Sequence, residues 1–337
     1  MRIALLADIH GNMPALAAVL QALERAQPHY VLINGDLING VPFSTAVIDL
    51  VRGQDWIVVR GNHEFYYLDF GTERAVPGGD DIDRWGQLHW LIKQITVEQG
   101  NYLALLPDER TLYFPGTQPV RVAHGVPGRN RVGFYNNQPA DQIVNEVQMV
   151  QEETLISAHT HVQIDRHIRW DVDQQCILQS DPHADGHSYR QEEQPHPFAP
   201  GATREIHRHW HIINPGSVGL PLNGRPTAQF ALLENVSPSV VAGGWQVELC
   251  EVNYDRRQAL NGYHETGMLD AGGVISQLFY WELVTAEAEI VLFYRWAWAN
   301  GHNPDEAIQA TFRAYIAATG RDQYVRERDP LHERGSF

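Results

Sequence analysis

Cysteine, long apolar runs and basic charge are all scarce in this chain of 337 residues, and each scarcity excludes a class of protein. The two cysteines, Cys176 and Cys250, are too few for a disulfide framework, and neither has a Cys-x-x-Cys neighbour typical of a zinc or redox motif. A reducing, cytoplasmic location is therefore expected. The nearest candidate for a membrane span, residues 290–299, is too short and contains Arg295.

The charge balance argues against one class of partner. Asp and Glu number 41 against 25 Lys and Arg, which gives a formal net charge of −16. Broad nucleic-acid binding requires a basic surface, so we do not expect it. A small phosphorylated substrate remains compatible with this charge, because bound metal ions and a few arginines can dominate the local field.

The first half of the chain reads as alternating strands and helices. Such alternation is typical of parallel strands joined by right-handed crossovers. Residues 64–118 are aromatic but less regular. Strands are predicted over 3–7, 30–34, 56–59, 120–123 and 155–158, and helices over 14–26, 42–52 and 140–152.

The second half divides into a strand-rich part and a helical part. Residues 171–205 are polar, and we interpret them as an inserted loop. We expect a core domain over 1–254 and a helical C-terminal extension over 255–337 that packs on it. The extension is also a candidate contact surface for a second copy of the chain. Alternating apolar residues predict strands over 162–170, 206–213, 227–233 and 246–252, and the clearest helical segments are 278–300 and 304–319.

Residues of metal-ligating type occur in five short fragments. Most fragments directly follow a predicted strand, where the site residues of an open α/β sheet gather. Carboxylate and imidazole ligands without thiolate suit Mn, Fe, Zn, Ni or Co, and the set suits two divalent metal ions that share one carboxylate. The fragments are Asp8-Ile9-His10, Gly35-Asp36, Gly61-Asn62-His63-Glu64, His124-Gly125 and His159-Thr160-His161. The predicted metal ligands are Asp8, His10, Asp36, Asn62, His124, His159 and His161.

These fragments resemble those of the calcineurin-like metallophosphoesterase superfamily, and residues 214–218 (Asn-Pro-Gly-Ser-Val) resemble its bacterial phosphodiesterase-like branch. The resemblance implies an α/β (α+β) fold, a four-layer αββα sandwich of two mixed sheets. It also implies that His63 acts on the leaving group. In this resemblance one metal ion is held by Asp8, His10, Asp36 and His161, and the other by Asp36, Asn62, His124 and His159.

The implied activity is hydrolysis of a phosphate ester, either a phosphodiester or a small phosphomonoester. Two cations lower the pKa of a shared water, and the bridging hydroxide attacks phosphorus in line. His63 would donate a proton to the departing alkoxide or stabilise its charge; the alternative is a hydrogen bond to a metal ligand. Two other functions stay open, a non-catalytic interaction scaffold and a protein serine/threonine phosphatase. The second is disfavoured because residues 37–40 (Leu-Ile-Asn-Gly) replace an Asp-Arg-Gly element.

Several neighbouring residues have two interpretations. The candidates for binding the substrate phosphate are Arg60, Arg129 and Arg131, and the alternative for each is a solvated surface charge. Glu64 is either a partner of the metal ligands or exposed. Tyr66 and Tyr67 either stack on an aryl leaving group or pack in the core. Asn12 is interpreted as a helix cap.

A second group of histidines lies in or beside the predicted insertion. A strand would direct those near residue 209 to one face, where they could bind a third metal ion. An exposed polar face is the simpler interpretation. The group comprises His167, His183, His187, His196, His207, His209 and His211.

Overall fold

One of the two sheets of the molecule is a five-stranded mixed sheet. The computed structural model describes residues 1–172, 175–180 and 207–332. The three strands nearest the N-terminus are parallel to one another, and the other two are antiparallel. In spatial order the strands are β11 (Trp245–Val252), β10 (Ala228–Asn235), β1 (Arg2–Leu6), β2 (Tyr30–Asn34) and β3 (Ile57–Val59).

A six-stranded mixed sheet packs on the first. Its three central strands are parallel, and the strands at both sides are antiparallel. In spatial order the strands are β4 (Glu109–Leu112), β5 (Val120–Ala123), β6 (Thr154–Ile156), β9 (His207–Pro215), β7 (Gln163–Asp171) and β8 (Cys176–Ser180).

Helices cover the outer faces of both sheets. Along β1, Leu5 packs between the sheets against residues such as Ile213, whereas Leu6 packs outward against the helices, as strand alternation requires. On the outer side of the second sheet, Val147 packs against Leu155. These four layers confirm the predicted sandwich. The helices of the core are α1 (Met13–Ala26), α2 (Ser44–Arg52), α3 (Asn62–Asp69), α4 (Ile82–Ile92), α5 (Val97–Leu105) and α6 (Ala140–Val147).

The C-terminal segment is helical, as predicted, and it packs on the sandwich. Its apolar core includes Tyr263 and Phe293 and extends to Val41 and Leu220 of the sandwich. The domain boundary near residue 255 and a contact with a second copy stay predictions. The helices are α7 (Arg256–Glu265), α8 (Met268–Ala271), α9 (Gly273–Thr285), α10 (Glu289–Ala299), α11 (Pro304–Thr319) and α12 (Arg321–Arg326).

Three sequence predictions need correction. The segment 278–300 is two helices, because Ala286 adopts a left-handed backbone (φ 56°) that ends α9. Residues 64–118 contain three helices; α5 begins at a capping box in which Thr96 and Gln99 bond each other's backbone N–H groups. Part of the expected insertion is strand, since β7 extends to Asp171 and β8 pairs with it. Residues 173–174 and 181–206 lie outside the described residues.

Helix length and hydropathy also bear on the membrane prediction. Within the described ranges, no helix combines the length and the apolar character that crossing a bilayer requires.

Candidate metal centre

Left-handed backbone at the strand ends places the ligands. Asp8 and His10 follow β1, each with φ near 52°, and Asp36 follows β2 with φ 53°. Non-glycine residues rarely adopt this conformation, and it turns residues two positions apart toward one pocket. The two loops are joined by hydrogen bonds, since the N–H of Asp8 donates to the carbonyl of Gly35 (3.1 Å) and that of His10 donates to Asp36 (2.9 Å). His159 (φ 70°) and His161 (φ 57°) repeat this geometry after β6.

One group of donors comprises Asp8, His10, Asp36 and His161. The Nε2 atom of His10 lies 3.0 Å from Nε2 of His161 and 3.6 Å from Oδ2 of Asp36. His161 Nε2 in turn lies 3.8 Å from Oδ1 of Asp8. These separations suit donors that surround a single cation.

A second group shares Asp36 with the first and adds His124 and His159. His124 Nε2 lies 3.3 Å from Oδ2 of Asp36 and 3.0 Å from Oδ1 of Asn62. His159 Nδ1 lies 2.7 Å from that same Asn62 oxygen. All seven predicted ligands therefore converge, and Asp36 stands between the two groups.

Backbone carbonyls orient three of the imidazoles. Each ring uses Nδ1 for a carbonyl, which leaves Nε2 to face the centre, the arrangement expected of metal-ligating histidines. The pairs are His10 with Asn39 O (2.8 Å), His124 with Asn34 O (2.8 Å) and His161 with Leu220 O (2.6 Å).

The Asp8 carboxylate indicates that the donor set fits a cation. It is fully buried, and neither oxygen has a hydrogen-bond partner among the described residues. A buried carboxylate without compensation is costly, and burial raises the pKa of Asp8 well above its ordinary value. Cations at the two groups would supply the missing positive charge.

The pKa shifts of His159 and His161 agree with this fit, whereas Asp36 and His124 form an ion pair whose proton a bound cation would displace. Burial lowers the pKa of His161 to about 3 and that of His159 to about 4, so both rings are the neutral ligands that metals bind. Although burial opposes it, His124 holds the pKa of Asp36 well below its ordinary value. Against the same burial effect, Asp36 raises the pKa of His124 to about 10.

Glu64 is buried, so it is not the exposed residue of one interpretation but a partner of the predicted metal ligands. Its carboxylate accepts backbone N–H groups from Asp36 (2.9 Å), Leu37 (2.8 Å), Ile38 (3.3 Å) and Gly61 (2.7 Å). The side chain therefore joins the loop after β2 to the start of α3, and so holds two ligand-bearing segments together. Burial raises the pKa of Glu64 to about 7, with the N–H groups acting against that rise.

His63 lies beside the first group of donors and is oriented by a residue that sequence reasoning did not assign. Its ring centre is 4.7 Å from that of His10. Its Nδ1 atom lies 2.9 Å from Nδ2 of Asn39. Asn39 belongs to the stretch noted only for departing from a family pattern.

The three predicted arginines differ in their contacts. Arg60 is paired with Asp108, and Arg129 with Glu146. The guanidinium of Arg131 lies over the ring of Tyr66, 4.7 Å from its centroid, and has no carboxylate partner among the described residues.

The second histidine group is only partly exposed. His167, His209 and His211 come together with Asp165 on one face of β7 and β9, and His211 is buried. The prediction of an exposed polar face was therefore wrong for this part of β9. His183, His187 and His196 lie outside the described residues.

The chain resembles known proteins over the segments that carry the candidate ligands. Residues 1–189, which include all seven candidate ligands, match the family model of the calcineurin-like phosphoesterases. An uncharacterised protein of Methanocaldococcus jannaschii, MJ0912, is 22% identical over 260 residues, which are 76% of this chain and 89% of that protein.

Two solved structures are similar over most of the chain. A metallophosphoesterase from Sphaerobacter thermophilus is 22% identical with a TM-score of 0.55, and the match covers 83% of this chain and 100% of that one. The hypothetical protein PH1004 from Pyrococcus horikoshii is 19% identical with a TM-score of 0.57, covering 83% and 97%. At these identities the two structures show a shared fold.

Proposed function

Because the chain belongs to the calcineurin-like phosphoesterase family, we propose that it hydrolyses a phosphate ester with two divalent metal ions that share Asp36. The supporting observation is the convergence of two donor groups on that one carboxylate. The ions are of the Mn, Fe, Zn, Ni or Co class, because the donors are carboxylate, amide and imidazole. Bound there, they supply an acidified water and offset negative charge on the phosphoryl oxygens.

His63 acts on the leaving oxygen as a hydrogen-bond donor. The Oδ1 atom of Asn39 accepts the N–H of Gly40 (3.1 Å), so its Nδ2 donates to Nδ1 of His63. The neutral ring then carries its proton on Nε2, and burial lowers the pKa of His63, which favours that neutral form. The backbone N–H of His63 donates to Oδ1 of Asp36 (2.8 Å), which fixes the start of α3 against the shared ligand.

Arg131 binds the phosphoryl group of the substrate in this proposal. Its exposed guanidinium, placed over Tyr66, is available for two parallel hydrogen bonds to phosphoryl oxygens. Arg60 and Arg129 are already paired with carboxylates, so we assign them no substrate contact.

Metal content and turnover of an Asp36→Asn variant test the proposal. The wild-type chain, loaded with Mn, is expected to hydrolyse 4-nitrophenyl phosphate or bis(4-nitrophenyl) phosphate. Asp36→Asn should lower turnover by at least about 100-fold and reduce metal uptake. Mutating a residue that only supports a metal ligand already costs about 10–100-fold in metal affinity or activity, and Asp36 is proposed as a ligand itself. Asp55→Asn, at an exposed turn, is the matched control. A wild-type chain that binds none of these metals and hydrolyses neither ester would instead support the scaffold function.

A further inference from the structure

A cavity of about 220 Å³ lies beside His63, where the sandwich meets the helical extension. The sandwich contributes Tyr66, Trp85 and Leu88 to its wall. The extension contributes Ile275, Phe279 and Ile290 from α9 and α10. Pockets between two packed units commonly bind small molecules, and the proposed hydrolysis alone does not account for this one.

Two polar side chains of the wall are engaged within the protein. Gln87 donates to the carbonyl of Gly40 (3.0 Å) and accepts from Ser276 (3.3 Å). Arg84 is paired with Asp305 at 2.6 Å, although its Nε atom and Nε1 of Trp85 are buried without a hydrogen-bond partner among the described residues. Most of the surface offered to a ligand is aromatic and aliphatic. A dry apolar cavity of about 150 Å³ holds benzene, so the present one has room for a ring.

His63 connects this cavity to the metal centre. Its ring centre lies 4.7 Å from that of His10 on one side and 6.2 Å from that of Phe279 on the other. An ester oxygen that accepts a hydrogen bond from Nε2 of His63 would therefore carry its organic arm toward Phe279.

We propose that this cavity binds the apolar, ring-bearing arm of the leaving alcohol, an inference that rests on the proposed function. During hydrolysis the P–O bond to that arm breaks, and the oxygen of water forms the new P–O bond. The departing oxygen accepts a hydrogen bond from the Nε2–H of His63 and takes the proton that the attacking water releases. The extension thus selects esters with an aromatic or similarly bulky leaving group.

The experiment compares benzyl and methyl esters of the same phosphate, as monoesters or as diesters with a common second arm. Their two leaving alcohols have nearly equal acidity, so a difference in kcat/KM reports binding of the ring. We expect at least about a tenfold preference for the benzyl ester, as apolar pockets give for small groups. Equal kcat/KM values for the two esters would overturn the proposal.

Filling the cavity should remove that preference. Ile290→Trp places a large ring in the wall, whereas Val291→Trp changes the next residue of α10, which is exposed and does not line the cavity. Ile290→Trp should lower kcat/KM for the benzyl ester to that of the methyl ester and leave the methyl ester unchanged. Val291→Trp should behave as wild type. Ile275→Trp is the second filling variant, and a benzyl preference retained in a folded filling variant would overturn the proposal.

A binding measurement separates failure of the cavity from failure of the proposed function. Benzyl alcohol, titrated into metal-loaded protein and followed by NMR, should bind wild type and Val291→Trp but not Ile290→Trp. If wild type hydrolyses no ester, the proposed function fails, and with it the leaving-group role. If wild type hydrolyses both esters but does not bind benzyl alcohol, the cavity proposal alone is overturned.

A second inference concerns a group of acidic and histidine side chains on the paired strands β7 and β9. His167 is directly opposite His211, and Asp165 is two residues from His167 on the same face. The Nε2 atom of His211 lies 2.6 Å from Oδ1 of Asp165, and the rings of His167 and His211 stack with centres 3.8 Å apart. One donor atom from each of the three residues lies within 4.8 Å of the others. His209 contacts the group through His167, at 2.9 Å.

The group has the chemistry of a cation site rather than of a packed core. His211 is 1% exposed, and its Nδ1, like that of His209, has no hydrogen-bond partner among the described residues. One carboxylate with two imidazoles is a donor set for Zn, Mn, Co or Ni.

We infer that Asp165, His167 and His211 bind one divalent cation separately from the centre at Asp36. Metal analysis after loading with Zn should show one equivalent fewer in Asp165→Asn and in His167→Ala, with ester hydrolysis unchanged. His264→Ala, an exposed histidine of α7, is the control. In Asp36→Asn, at least one equivalent should remain, and adding His167→Ala should remove it. Unchanged metal content in both single variants would overturn this site.

Discussion

The candidate metal centre and the helical extension are built from opposite kinds of side chain. The centre buries ionisable side chains such as Asp8 and Asp36 on left-handed backbone, both of which cost stability. The extension buries aromatic and aliphatic groups such as Tyr263 and Phe293, which contribute stability. One region therefore holds reactive groups in place, and the other stabilises the molecule. The two functions should then separate on mutation.

The largest expected effect removes the hydrogen-bond donor that faces the leaving oxygen. His63→Ala should lower kcat by about 10²–10³-fold, the range for loss of one donor to a developing oxyanion. Metal content should not change, because His63 is not among the grouped donors. Turnover and metal analysis of the same preparation check this. Loss of metal from His63→Ala would contradict the role proposed for it.

In the extension, the effect should fall on stability. Phe293 is fully buried and packs edge-on against Phe312, at 5.7 Å between ring centres, so Phe293→Ala leaves a cavity. The free energy of unfolding should decrease by about 3–5 kcal/mol. Denaturant unfolding measures the decrease, and metal content at zero denaturant should match wild type. Val291→Ala, on the exposed side of the same helix, is the control. A folded Phe293→Ala variant that lost its metal would show that the two regions do not separate.

A smaller effect is expected at Glu64, which supports the ligands from behind. Glu64→Gln replaces an acceptor oxygen with an amide donor, so some of the four backbone N–H groups lose their partner. We expect metal affinity to fall by about 10–100-fold, as for other partners of metal ligands. Titrating Mn into the metal-free protein, with turnover as the readout, measures the loss of metal affinity. Glu24→Gln, an exposed residue of α1, should leave the affinity unchanged.

The sequence predicted the centre because its geometry follows from local rules. Parallel strands end at the same edge of a sheet, so ligand-type residues after apolar runs had to meet there. The supporting residue Asn39 was not assigned, and Glu64 kept two interpretations, because their partners lie on other segments of the chain. Asp165 was missed for a related reason, since only the pairing of β7 with β9 places it beside His211.

In the extension, local patterns were less informative. Residues 278–300 are apolar nearly throughout, so their periodicity does not show where one helix ends. The break at Ala286 is a backbone conformation without a glycine to indicate it. The cavity beside His63 was likewise beyond sequence reasoning, because two segments about 200 residues apart form its wall.

The smallest expected effect tests a direct hydrogen bond by which α7 contacts the loop after Asp36. The hydroxyl of Tyr263 donates to the carbonyl of Gly40 at 2.5 Å, and that carbonyl also accepts from Gln87. In Tyr263→Phe the carbonyl keeps the second bond, so the free energy of unfolding should decrease by only about 1 kcal/mol. Metal affinity should not change, and Tyr113→Phe, at an exposed site, should change neither. A lower Mn affinity in Tyr263→Phe would mean that the extension also holds the ligand loop in place, and the two regions would have to be treated as one.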